Sequence, residues 1–261
     1  MPFTLSHAAA ALPFRRTRLV MSALVIGCFA PDFEYFIPFA HHGSFGHSLP
    51  GVFVLDLPLS LIVLWLFHCY AKEPLASCLP ANARARLQLG PRSVPINSLS
   101  RFALIVLSIL VGIATHILWD SFTHSGNWIA HHLPFLSVYV SLPLFGRRPW
   151  YAILQYFSSV LGIIVLLLWY IHWYGHATPV GSKPDRKLVK GDRIALASLF
   201  LFALFAALVR AIALGVPNGV HGAQHFMTIA AITGIAVFCF EIVIYGIVRN
   251  HTVTPSNPLE T

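Results

Sequence analysis

Apolar residues run through this chain in six long stretches, at 19–39, 51–70, 102–122, 150–175, 194–216 and 226–248, each broken by few charged side chains. About 20 residues at a rise of 1.5 Å cross a hydrocarbon core about 30 Å thick, so each stretch is long enough to span a membrane as a helix. A shorter apolar run from 3 to 14 predicts a short N-terminal helix. Arg15, Arg16 and Arg18 follow that run instead of preceding it, which is the wrong order for a cleavable signal peptide. The expected fold is all-α: a polytopic membrane helix bundle of about six transmembrane helices plus the N-terminal helix, forming a single integral membrane domain over 1–261. No internal repeat, low-complexity tract or coiled-coil heptad interrupts it.

The connectors sharpen this picture. Segment 71–100 is the longest, rich in Pro, Asn, Arg and Ser, and 175–191 is a short basic linker. Aromatic residues gather at stretch ends, as in Trp150, Tyr151, Trp169, Tyr170, Trp173 and Tyr174, which suits interfacial anchoring. Composition agrees, since 57% of residues are hydrophobic and 10% charged, against about 25% charged in a soluble domain. A soluble globular fold is excluded.

The net charge of +8 raises the question of nucleic acid. Its distribution answers it. Fourteen of the seventeen Lys and Arg residues lie on one set of connectors, only Arg147 and Arg148 lie on the opposite set, and Arg210 falls inside the fifth stretch. By the positive-inside rule both termini are cytoplasmic and the number of spans is even. The expected partners are membrane lipids, not nucleic acid. Cys28, Cys69, Cys78 and Cys239 show no CxxC spacing, which argues against a disulfide framework or a thiolate metal site.

Five acids, Asp32, Glu34, Asp56, Asp120 and Glu241, lie within or at the edges of apolar stretches, where each costs several kcal/mol unless partnered. Depth arithmetic places Asp32 about 20 Å and Glu34 about 22 Å above the cytoplasmic boundary, His116 about 21 Å, Asp120 about 27 Å and Asp56 about 22 Å. Three segments thus bring polar side chains to one level. The motif His116-x3-Asp120-x3-His124 puts imidazole, carboxylate and imidazole within about 80° of one helix face, half a ligand shell for zinc, manganese or iron. For His124 alone a solvated helix end serves as well.

The loop AHHGSFGHSLPG adds His41, His42 and His47. His7 sits about 12 Å from Arg15 along its helix and reaches the same level only if that helix inserts as a hairpin arm. Arg210 and Glu241, about 24 Å and 11 Å above the boundary, differ too much in level for a pair. His172-x3-His176 and His221-x3-His225 fall at stretch ends, where interfacial histidines are common. HExxH, a Gly-x-Ser-x-Gly elbow, a Walker loop and GxGxxG are absent.

The blocks MPFTLSHAAAALPFRR, GCFAPDFEYF, GHSLPGVFVLDLP and GIATHILWDSFTHSG resemble, over roughly residues 1–150, a bacterial membrane family of unknown function, number 4184. They also resemble the YdjM-like inner-membrane proteins, described as metal-dependent hydrolases, whose blocks are His, Pro-Asp-x-Asp, His-x4-His-Ser and Ser-His-x3-Asp. That resemblance implies His7, Asp32, His47, His116 and Asp120 as the metal set, with Glu34 in place of the second Asp and His42 as the first loop histidine. Ligand order alone is similar to zinc-dependent phospholipase C, whose later His-x3-Glu is missing here. The resemblance says little of 151–261, three further spans of unassigned role.

The leading expectation is therefore an inner-membrane metal-dependent hydrolase acting on a lipid-derived ester or phosphoester. Asp32, His47, His116 and Asp120 would hold one or two divalent cations, zinc or manganese, and Glu34 or Asp56 would serve as general base or orient a ligand imidazole. A di-iron lipid hydroxylase would need His-x-x-His-His boxes, which are missing. The non-catalytic alternatives are a transporter, or a structural or partner-binding subunit whose polar network holds helices together.

Overall fold

The computed structural model describes residues 4–37, 45–87, 89, 93–94, 96–124, 128–142, 146–179, 186–215 and 220–252. Among them the chain forms an N-terminal 3-10 helix (Thr4–Arg16), α1 (Met21–Gly27), a second 3-10 helix (Ala30–Phe36) and a long helix α2 (Leu49–Cys78). These are followed by α3 (Ala81–Arg84), α4 (Leu99–Thr123) and α5 (Trp128–His132). A 3-10 turn (Pro134–Ser137) precedes the hairpin β1 (Tyr139–Leu142) and β2 (Gly146–Pro149), and then come α6 (Trp150–His176), α7 (Arg186–Ala213) and α8 (Val220–Thr252). The fold is an all-α membrane helix bundle in which five helices are long and apolar enough to cross a membrane.

The expected span at 19–39 is not one of them. α1 ends after seven residues, and the chain continues as a 3-10 helix through Ala30-Pro31-Asp32. Pro31 has no N–H to donate and disfavours helical geometry at the residue before it, so an α-helix does not pass through this point. The six expected helical spans are thus five long helices and one broken segment.

The chain divides into two compact units, residues 1–34, 41–64 and 95–176 forming the first and 35–40, 65–94 and 177–261 the second. In the first, α4 is capped by Ser98, whose hydroxyl accepts from Arg101 N. Its buried positions Ile105, Ser108, Ile109, Gly112, Ile113, His116, Asp120 and Thr123 form one stripe at helical spacing. The stripe packs on α1 with the backbones nearly touching, because a Cβ on Gly27 would collide with the Ile109 carbonyl and one on Gly112 with the Leu24 carbonyl. Such small-residue contacts are how helices associate in lipid. Ser108 accepts from Val20 N at the start of α1, satisfying a donor the helix leaves free.

The N-terminal 3-10 helix and α1 form a hairpin whose tip carries the exposed Arg15, Arg16 and Arg18. The hairpin is latched at its other end by Thr4 Oγ1, which donates to Asp32 Oδ2 at 2.6 Å. The arm also packs on α6 at Gly162, the one buried residue described in that helix, where an added Cβ would lie 2.8 Å from the Ser6 carbonyl oxygen. Most other α6 side chains, such as Phe157, Val160, Leu167 and Leu168, face outward, as in a helix that contacts lipid.

α2 starts at Ser48, whose hydroxyl accepts from Gly51 N, and runs eight residues past the expected end at Tyr70. Two π-helical turns interrupt it, at Val52–Asp56 and Phe67–Ala71. The second precedes Pro74, which cannot donate to the preceding turn; the Cys69 carbonyl instead accepts from Asn250 Nδ2 in the second unit. There Ala71, Leu196 and Ile242 are buried together, and α7 packs along α8. Arg210 bonds Thr233 Oγ1 at 3.2 Å.

Candidate functional site

The first unit gathers the expected set. His7 comes from the N-terminal arm, Asp32 and Glu34 from the 3-10 helix after Pro31, His47 from the turn before α2, Asp56 from the first π-turn, and His116 and Asp120 from the buried stripe of α4. His7, Asp32, Glu34, Asp56, His116 and Asp120 are all buried. The hairpin geometry brings His7 in, through a ring stack on His116 with centroids 4.0 Å apart. His41 and His42 lie outside the described residues.

Asp120 stands at the centre. Its Oδ1 is 3.5 Å from His7 Nε2, and its Oδ2 is 3.4 Å from both His47 Nε2 and His116 Nε2. His116 Nε2 also lies 3.8 Å from Asp32 Oδ1. Two groups keep their donor atoms within 4.8 Å of one another: His7, His116 and Asp120, and Asp32, His47 and His116.

The tautomer of His116 is fixed by its surroundings. Nδ1 lies 2.7 Å from the Cys28 carbonyl oxygen, which can only accept, so Nδ1 carries a proton and Nε2 is turned toward the carboxylates. Nε2 of His116 and of His7 is buried and makes no well-formed hydrogen bond among the described residues.

These residues fit a divalent cation. Charge-assisted N–H···O bonds run about 2.7–2.9 Å, shorter than the described imidazole contacts of Asp120. Two ligand atoms about 2.0–2.1 Å from one tetrahedral zinc are about 3.3 Å apart, close to the 3.4 and 3.5 Å found here. A ring nitrogen and a carboxylate facing each other at that spacing repel unless a proton or a metal cation lies between them. The donor set of imidazole and carboxylate suits zinc or manganese. His116 bonded to a backbone carbonyl through its second nitrogen is the usual outer support of a ligating imidazole.

Two carboxylates border this centre. Glu34 Oε2 accepts from Gly46 N at 3.3 Å, and Oε1 has no hydrogen-bond partner among the described residues. Asp56 is 0% exposed, with neither oxygen hydrogen-bonded among those residues. Gly46 lets the loop backbone press on both: a Cβ there would lie 2.7 Å from the Pro31 carbonyl oxygen and 3.1 Å from Asp56 Oδ1. A π-turn at Asp56 is the kind of helix defect that re-aims a functional side chain.

Three further residues belong to the rim. His124 Nδ1 is 3.5 Å from Asp120 Oδ2, and burial holds its imidazole below the ordinary range, keeping the ring neutral. Gln155 of α6 reaches within 3.5 Å of His124 Nε2, and Thr4 holds Asp32. Sequence reasoning missed Gln155 and Thr4. A lone amide within the apolar run of α6 was a usable signal for the first, whereas nothing local marks Thr4.

Outside the cluster, His172 and His176 are adjacent on α6, with Nδ1 of His176 bonded to the His172 carbonyl, and the hydrogen bond described for Arg210 goes to Thr233.

The family described as a domain of unknown function, DUF4184, matches residues 1–247. The likeness therefore extends well beyond the first 150 residues and covers α6, α7 and most of α8. No curated protein and no solved structure matches the chain.

Proposed function

Since the chain belongs to the DUF4184 family, which carries no assigned function, we propose its activity from the site: an inner-membrane metal-dependent hydrolase that cleaves a lipid-like ester or phosphoester. The observation that carries this reading is the set of imidazole-to-carboxylate distances around Asp120, too long for charge-assisted hydrogen bonds and close to the edge of a metal ligand shell. His7, His116 and Asp120 would hold the ion, with Asp32 and His47 as the neighbouring donors. Zinc or manganese in that position supplies Lewis acidity, polarising an ester or phosphoryl oxygen and making water acidic near neutral pH.

The protein's own groups do the rest. Glu34, fixed on one oxygen by Gly46 N, keeps its other oxygen to take a proton from the attacking water and return it to the leaving group. Asp56, from the first π-turn, borders the cluster as a second carboxyl. Burial of the cluster inside a bundle whose outer helices face lipid supports an apolar substrate and keeps bulk water away. The charge map of the connectors supports a site opening toward the non-cytoplasmic face, and kinship with YdjM-like hydrolases is part of the same reading.

Metal analysis of the purified protein is the test. Stoichiometric divalent metal in the wild type, lost in the His116→Ala, Asp120→Ala double variant, is expected. A wild type without it, or a double variant that keeps it, overturns the proposal, and full cellular function in Asp120→Asn would favour a structural subunit.

A further inference from the structure

The charge in the cluster exceeds what one cation offsets. Asp32, Glu34, Asp56 and Asp120 are 2%, 3%, 0% and 2% exposed. Ion pairs with histidines are described at both Asp32 and Asp120. When all four carboxylates are ionised, one divalent cation leaves two of these negative charges to be opposed by the imidazoles alone, which is costly in a buried site.

The donor geometry points the same way. Both groups of possible ligands need His116 Nε2, yet that atom has one lone pair and serves one ion. Given to the position of His7 and Asp120, it leaves Asp32 and His47 a ligand short. Asp56 bears on the same place: a Cβ on Gly46, next to His47, would lie 3.1 Å from Asp56 Oδ1 and 2.7 Å from the carbonyl oxygen of Pro31, next to Asp32, and both Asp56 oxygens lack a hydrogen bond among the described residues. Asp120 offers one oxygen to His7 and the other to His47.

We propose that the centre is dinuclear, with a second divalent-cation position formed by Asp32, His47 and Asp56, the Asp120 carboxylate shared between the two positions, and Glu34 left free as the base. This rests on the metal-centre reading above and adds to it a second ion and a ligand's duty for Asp56. Two divalent charges offset the four carboxylates in full. A paired site of this kind is suited to clamping the attacking and leaving oxygens of an in-line displacement, which narrows the substrate class from esters at large to phosphoesters.

The experiment is reconstitution of the metal-stripped full chain with Mn(II), read by metal content and by electron paramagnetic resonance. Wild type should take up two equivalents whose spectra show exchange coupling between neighbouring ions, and Asp56→Asn should take up one, with the uncoupled six-line signal. One equivalent in the wild type, two uncoupled equivalents, or two coupled equivalents retained by Asp56→Asn overturns the inference while leaving a mononuclear hydrolase standing. No uptake by the wild type overturns both. The wild-type measurement decides the number of ions even if the variant does not fold.

Discussion

Asp192 in the second unit and the four carboxylates of the first are all buried, and they are compensated in opposite ways. In the second unit Asp192 Oδ1 accepts from Arg249 Nε and from Tyr245 Oη, both at 2.8 Å, while Arg249 also bonds Glu73 Oε2 at 3.2 Å. Arg193 adds bonds to the carbonyls of Ser77 and Leu79 at 2.8 and 2.7 Å. This network carries its own cations at hydrogen-bond distance. In the first unit the carboxylates face imidazoles at 3.4 to 3.8 Å, and His7, His116, Glu34 and Asp56 keep atoms with no hydrogen bond among the described residues. A complete network stabilises the fold by itself. An incomplete one at ligand spacing is arranged for something that arrives from outside.

Removing the internal cation is the most disruptive way to test that contrast. Arg249→Ala would leave Asp192, 3% exposed, without its guanidinium, and breaking a buried pair from one side costs about 3–5 kcal/mol. Thermal unfolding of the purified protein should show this as a lowered midpoint with metal content unchanged. Loss of metal together with stability would mean that the two networks are not separate in function.

A smaller effect should have opposite signs in the two places. In protein stripped by a chelator, Asp56→Asn removes a buried charge that has no hydrogen bond and should raise stability by about 1–3 kcal/mol. Asp192→Asn weakens two good bonds and should lower it by a similar amount. Restoring zinc should reverse the ranking at position 56 alone, because the wild type then gains binding energy that the variant lacks. Equal signs at the two positions in the stripped protein would dissolve the distinction.

The cluster was legible because charge is scarce in the apolar stretches. Asp32, His116 and Asp120 stand out where hydrocarbon is expected, and depth arithmetic alone puts Asp32, Asp56 and His116 at one level, with Asp120 about one helical turn above. The break at Pro31 was written in the same segment but was outweighed by its length of apolar sequence. His7 depended on a hairpin that local sequence does not encode: its position follows from the bare Gly162 face that admits Ser6 and from the Thr4 latch on Asp32, both contacts across long chain separations. The second network was hidden for a different reason. Glu73, Asp192 and Arg249 lie near helix ends among other charges, where an acid costs little and carries no signal. Nor did the apolar pattern announce the β1–β2 hairpin, whose Arg147 lies over the Tyr139 ring at 5.4 Å.

The finest comparison removes one hydroxyl from each network. Tyr245→Phe deletes a 2.8 Å bond to Asp192 but leaves Arg249 in place, so stability should fall by about 1 kcal/mol with nothing else altered. Thr4→Val deletes a 2.6 Å bond to Asp32 Oδ2. If Asp32 is a ligand, that hydroxyl orients it, and outer supports of this kind change metal affinity about 10–100-fold when lost. Zinc titration should then show weaker binding in Thr4→Val and wild-type binding in Tyr245→Phe. The difference between the two variants measures whether the Asp32 carboxylate is held for the fold or for an ion, because a purely structural bond at Thr4 would lower the unfolding midpoint and leave the titration unmoved.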